Sequence, residues 1–255
     1  MTTFKHVFAV QWRPKFRIAN TILALYGLLI VVGGLVTGFT DGWSAVDPAN
    51  LAMGSGSGLG IVTFICLAVR ADHDLTRANY RLLPTSETTL YLGNLTSTFA
   101  AFLYFEVVRA LVMALGYLIG HVHGLKGVLN AIWTGGTHAY QADWPVMVTY
   151  VVIFLLILVV GAWVLFALIH LAVNALSAFL PNVQQRVIKG VLAVLLVLGV
   201  VQVGRVLFSL EMHFSAGVST NTDMLVSVIV ALVITAAMVM ANIYLLKHWV
   251  EARIN

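Results

Sequence analysis

The chain has 255 residues, of which 60% are hydrophobic and 9% charged, with a formal net charge of +4. An average soluble domain carries roughly 25% charged residues, so this much apolar surface cannot be hidden inside one globule and points to a bilayer as solvent. A hydrocarbon core of about 30 Å takes about 20 helical residues per crossing, so six crossings use roughly half the chain and leave no room for a large catalytic domain outside the membrane.

In chain order, the first 19 residues place Phe4, Val7, Phe8 and Trp12 at helical spacing beside Lys5, Arg13, Lys15 and Arg17. That pattern predicts an amphipathic helix along the inner membrane surface, with its cations on lipid phosphates. Pro14 is expected to bend or end this helix before the membrane. Apolar runs follow at about residues 20–38, 54–70, 95–119, 146–170, 187–208 and 224–246, each long enough to cross. Stretches such as Val151 to Ile169 are apolar on every side, which fits helices and not the alternating strands of a membrane barrel. The first run is also too long for a cleavable signal core. The expected fold is an all-α integral membrane protein with an interfacial helix at residues 1–19 and a six-span domain at residues 20–255.

The cations sort to one side. Lys5, Arg13, Lys15 and Arg17 precede the first run, Arg70, Arg77 and Arg81 follow the second, Arg186 and Lys189 precede the fifth, and Lys247 and Arg253 follow the sixth. The opposite loops hold Lys126 with the acids Asp41, Asp47, Asp143, Glu211 and Asp223. By the positive-inside rule both termini are expected in the cytoplasm, with the chain in the cell membrane, and parity then requires an even number of spans.

Chemistry is sparse. Cys66 is the single cysteine, which removes any disulfide framework and any thiolate zinc site. The glycines between Gly54 and Gly60 lack the Gly-Lys-Ser/Thr ending of a phosphate loop and predict close helix packing or a soft outer helix end. Neither a Gly-x-Ser-x-Gly elbow nor a His-Glu-x-x-His motif occurs, so no catalytic residue is assigned. His121, His123 and His138 fall in outer loops with Asp143, Glu211 and His213; His121 and His123 supply two imidazoles, but the other ligands would have to converge from separate loops, and no metal is assigned. No basic run interleaved with aromatics suggests nucleic acid as a partner. Glu106 and Arg109 lie three residues apart inside the third run. Each costs about 2.5–3.5 kcal/mol at the bilayer centre, so they are expected to pair and face the bundle interior, either as a structural ion pair or in substrate passage or switching. His170, Asn174, Gln202 and Asn242 read as interhelical hydrogen-bond formers.

Residues 70–94 form the most distinctive polar stretch. Arg70 to Leu83 reads as a short amphipathic helix broken at Pro84, with Ser86 as a cap for the helix entering the third run. The sequence from Arg81 to Leu95, Arg-Leu-Leu-Pro-Thr-Ser-Glu-Thr-Thr-Leu-Tyr-Leu-Gly-Asn-Leu, resembles a loop of the ABC-transporter permeases of the ABC-2 exporter class. There a charged stretch leads to Leu-x-x-Leu-Pro-Val/Ile-Ser and then Gly-Lys, whereas Thr85 and Asn94 stand here in place of Val/Ile and Lys. The basic amphipathic N-terminal helix, the six spans and the placing of both ends inside are similar as well. The resemblance implies a coupling helix seated in a groove of a separate ATPase subunit, with the contact on Arg77, Tyr80, Arg81, Leu82 and Leu83. It implies ATP and Mg on that partner and none on this chain, and a homodimer or heterodimer of permease subunits. The implied activity is ATP-driven export of a hydrophobic, peptide or drug-like substrate. The residues themselves leave another reading open, an ATP-independent membrane protein: a small secondary carrier using Glu106 and Arg109, or an immunity or scaffold factor.

Overall fold

The computed structural model describes residues 3–76, 85–120, 144–177, 190–191, 194 and 220–248. Among the described residues the long elements are all helices: α1 (Phe4–Thr40), α2 (Pro48–Thr76), α3 (Glu87–Gly120), α4 (Trp144–Ser177) and α5 (Thr220–His248), with a 3-10 turn at Trp43–Ala45. All five long helices carry a stretch long and apolar enough to cross a membrane. Of the expected run at residues 187–208, Gly190, Val191 and Val194 are described, and they are helical.

The helices outrun their apolar cores. The 37 residues of α1 span about 55 Å at 1.5 Å per residue, against a hydrocarbon thickness of about 30 Å. Pro14 lies inside α1 and does not end it, so residues 4–19 are the first turns of the same helix as the first apolar run. A proline removes one backbone hydrogen bond, and tertiary packing of a helix face can outweigh that loss. Here Val7, Gln11, Lys15 and Ala19 form a buried row on one face, and Phe8, Trp12 and Phe16 stack at centroid distances of 5.9 and 5.3 Å across the proline.

Contacts divide the chain into two compact units, Met1–Leu75 with Leu92–Gln141, and Thr76–Tyr91 with Ala142–Asn255. In the first unit α2 and α3 run antiparallel: Pro48 meets Gly116, Gly56 meets Arg109, Gly60 meets Glu106, Phe64 meets Phe102 and Ala71 meets Asn94. α1 runs parallel to α3, with Val7 against Gly93, Lys15 on Asn94 and Ser97, and Asn20 accepting from the Tyr104 hydroxyl. The start of α1, the end of α2 and the residues of α3 from Leu92 onward therefore share one end of this unit. Its core is Ala19, Ile22, Tyr26, Leu59 and Phe105, one apolar cluster drawn from all three helices.

At the other end of the unit the chain turns from α1 into α2. Gly42 takes φ +91°, where a side chain would be strained. Asp47 caps α2, its Oδ1 accepting from the Ala49 amide at 2.9 Å, and Pro48 fills the first helical position, where no amide proton is needed. Phe39 and Trp43 pack edge to face at 5.7 Å while remaining 79% and 64% exposed, an aromatic pair of the kind that anchors a membrane interface.

In the second unit α4 and α5 pack together. A Cβ on Gly161 would lie 3.1 Å from Thr235 Oγ1, and Asn242 Nδ2 donates to the Val164 carbonyl oxygen at 2.8 Å. The contacts keep the same order along both helices, so α4 and α5 run parallel.

Candidate functional site

Two polar clusters sit in the otherwise apolar first unit. The first is the pair expected from the third apolar run. On α3, Arg109 Nε donates to Glu106 Oε2 at 2.9 Å, and Nη2 donates to the same oxygen. The two side chains are 26% exposed for Glu106 and 31% for Arg109. Two glycines one turn apart on α2 make room for them: a Cβ on Gly56 would lie 3.2 Å from Arg109 Cδ, and one on Gly60 would lie 3.3 Å from Glu106 Oε1. Tyr26 completes the setting, donating from its hydroxyl to the Ala52 carbonyl oxygen at 2.9 Å, with its ring 3.4 Å from the same Gly56 position. The glycine run between Gly54 and Gly60 thus lies inside α2, and Gly56 and Gly60 are its packing members; a Cβ added at Gly54 or Gly58 would have nothing within 4 Å among the described residues. Chemically the pair is neutral overall, yet Arg109 Nη1 and Glu106 Oε1 keep a donor and an acceptor unused among the described residues.

The second cluster was not expected. Lys15, read from the sequence as a cation for lipid phosphates, is fully buried. Its ammonium donates to the Asn94 carbonyl oxygen at 2.9 Å, to Asn94 Oδ1 at 2.5 Å and to Ser97 Oγ at 2.7 Å. Asn94 in turn donates from Nδ2 to the Ala71 carbonyl oxygen of α2 at 2.8 Å. Three residues further along α2 Asp74 is fully buried and pairs with Arg70 at 3.1 Å. One side chain from each of α1 and α3 thus links three helices at a single end. Lys5, Arg13 and Arg17, by contrast, are exposed.

In the second unit Asn242 is fully buried, and its Nδ2 donates both to the Tyr91 hydroxyl at 2.8 Å and to Val164. His170 is half-buried on α4.

Between α2 and α3, the residues Arg77, Tyr80, Arg81, Leu82 and Leu83 lie outside the described residues, as do His121, His123, His138, Asp143, Glu211 and His213. α2 continues to Thr76, so Arg70 to Thr76 is its last part and not a separate helix. Ser86 caps α3, its Oγ accepting from the Thr89 amide at 3.3 Å and its carbonyl oxygen from the Leu90 amide at 3.0 Å. Among the described residues no group of three His, Cys, Asp or Glu side chains could hold a metal ion. No family model, curated protein or solved structure matches this chain.

Proposed function

We propose that this chain is the multi-pass permease subunit of an ATP-driven exporter in the cell membrane, working as a homodimer or heterodimer of such subunits. ATP and Mg are bound by separate ATPase subunits docked on the stretch from residue 70 to residue 94, through Arg77, Tyr80, Arg81, Leu82 and Leu83. The observation that carries the reading is the link from Lys15 through Asn94 to Ala71, at the helix ends that residues 77–86 join. Force applied to that connection reaches α1, α2 and α3 together, which is what a subunit with no fuel site of its own needs if a partner's contacts are to shift its equilibrium between states.

The finer topology is part of the proposal. The parallel packing of α4 and α5 supports a further crossing between Ser177 and Thr220, where the apolar run at residues 187–208 falls. On this reading the chain has six spans with both termini on one face, and the distribution of Lys and Arg supports a cytoplasmic side for that face. On α1 the 24 residues from Phe16 to Phe39 cover about 34 Å, close to one bilayer crossing with an aromatic side chain at each boundary. The cargo is of the hydrophobic, peptide or drug-like class. The Glu106–Arg109 pair favours one other reading, a secondary carrier in which that pair couples transport without ATP.

Purification of the full chain in mild detergent separates the two. The permease reading expects a phosphate-loop ATPase to be retained, and expects Arg81→Glu or Leu83→Asp to lower that retention while membrane insertion continues. Recovery of the chain alone, with transport intact and indifferent to both substitutions, refutes it.

A further inference from the structure

We propose that α1 and α3 enclose a binding site for a primary ammonium ion, which this chain fills with its own Lys15. The geometry of the acceptors is the reason. An ammonium offers three N–H donors, and three acceptors converge on Lys15 Nζ: the Asn94 carbonyl oxygen, Asn94 Oδ1 and Ser97 Oγ, at 2.9, 2.5 and 2.7 Å. Lys15 and Ser97 are fully buried and Asn94 is 3% exposed, so water does not compete for them.

Two of the acceptors, Asn94 Oδ1 and Ser97 Oγ, are oriented by a further bond, while the Asn94 carbonyl oxygen is shared with two hydroxyl donors. Asn94 Nδ2 donates to the Ala71 carbonyl oxygen at 2.8 Å, which turns Oδ1 toward the ammonium. Ser97 Oγ donates its own proton to the Asn94 carbonyl oxygen at 2.9 Å and keeps its lone pairs for Lys15. Thr98 Oγ1 donates to that same carbonyl oxygen at 2.7 Å. These bonds are made by α2 and α3 residues alone, without the lysine. Burial pushes the pKa of the Lys15 ammonium down to about 7, an effect that Asp74 opposes and Arg70 adds to. Buried charge of this kind persists only when it is fully hydrogen-bonded, and this one is.

The site should therefore accept an ammonium that is not tethered. Lys15→Ala removes three methylenes and the charge, which n-propylammonium replaces. The full chain in mild detergent is heated with and without n-propylammonium chloride, with n-propanol as the neutral isostere and tetramethylammonium chloride as a cation without donors. The expected result is a melting midpoint several degrees below that of the unsubstituted protein, recovered by n-propylammonium alone. Unchanged melting, equal recovery by n-propanol, or no recovery by n-propylammonium overturns the proposal. Should Lys15→Ala not be recovered folded, Ser97→Ala decides instead, since it keeps the lysine and removes one acceptor. An amine-reactive ester should acylate Lys5 and spare Lys15 in the unsubstituted protein, and should reach Lys15 faster in Ser97→Ala, as read by peptide mass. Lys15 modified as readily as Lys5 from the start, or equally protected in both proteins, overturns it.

Discussion

Glu106 Oε1 lies where Gly60 has no side chain: a Cβ on Gly60 would come within 3.3 Å of that oxygen. One turn toward the start of α2, Gly56 stands in the same relation to Arg109. The ion pair of α3 therefore seats on a glycine pair of α2, and the fit depends on both.

The glycines of α2 should separate into two classes. Gly58→Ala meets nothing within 4 Å and should be neutral or stabilising by about 0.5–1 kcal/mol, because alanine is the better helix former. Gly56→Ala and Gly60→Ala press a methyl against Arg109 and Glu106 side-chain atoms at 3.2 and 3.3 Å and should be less favourable than Gly58→Ala by about 1 kcal/mol. Gly116→Ala should be at least as costly, since its Cβ would lie 2.9 Å from the Pro48 carbonyl oxygen, which is backbone and cannot rotate away. Melting midpoints of the four variants in one detergent check the order; equal effects at Gly56 and Gly58 contradict it.

Removing one charge of the pair should hurt more than removing both. Glu106→Gln leaves the Arg109 guanidinium without its counter-charge in an apolar helix, and Arg109→Gln strands Glu106 in the same way. The double variant strands neither. A double-mutant cycle on unfolding free energy should give a favourable coupling of about 1 kcal/mol or more. Additive single effects would mean that the two side chains do not act as a unit.

What the sequence made legible was the depth of the membrane, and what it hid was the pairing of helices. Hydropathy marked the first run from about residue 20, whereas α1 begins at Phe4, because a helix continues as long as one face is packed. Glu106 and Arg109 stood out because charge is expensive in an apolar run and their spacing puts them on one face. Lys15 did not, because a cation beside an apolar run has an obvious destination in lipid phosphate. Its true signal was the row Val7, Gln11, Lys15, Ala19, four residues apart, with Asn94, Ser97 and Thr98 at positions i, i+3 and i+4 on one face of α3. Those two rows can be matched only once α1 and α3 are known to be neighbours, and local sequence does not carry that adjacency.

Asn242 and Tyr91 give a prediction with an unusual sign. Tyr91→Phe deletes a hydrogen bond while Asn242 keeps its bond to Val164, and should cost about 0.5–1.5 kcal/mol. Asn242→Leu leaves the buried Tyr91 hydroxyl without its donor and should cost about 1–3 kcal/mol. Combining the two removes both partners, so the double variant should be more stable than Asn242→Leu alone. Thermal unfolding of the three proteins tests this, and a double variant that melts lowest of all contradicts it.

Gln11 offers a stabilising substitution. It is fully buried one turn before Lys15, and among the described residues neither its amide oxygen nor its nitrogen has a hydrogen-bond partner. An unpaired buried amide costs about 1–3 kcal/mol, which an apolar side chain of the same shape avoids. Methionine matches glutamine in length and lack of branching, so Gln11→Met should raise stability by about 1 kcal/mol. Gln11→Ala removes the same polar atoms but leaves a void against Gly93 and Val7, and should fall below Gln11→Met by about 1–3 kcal/mol. The pair of variants separates desolvation from packing: a Gln11→Met protein that melts below the unsubstituted chain would show that the amide is bonded after all, and that this face of α1 is polar by function.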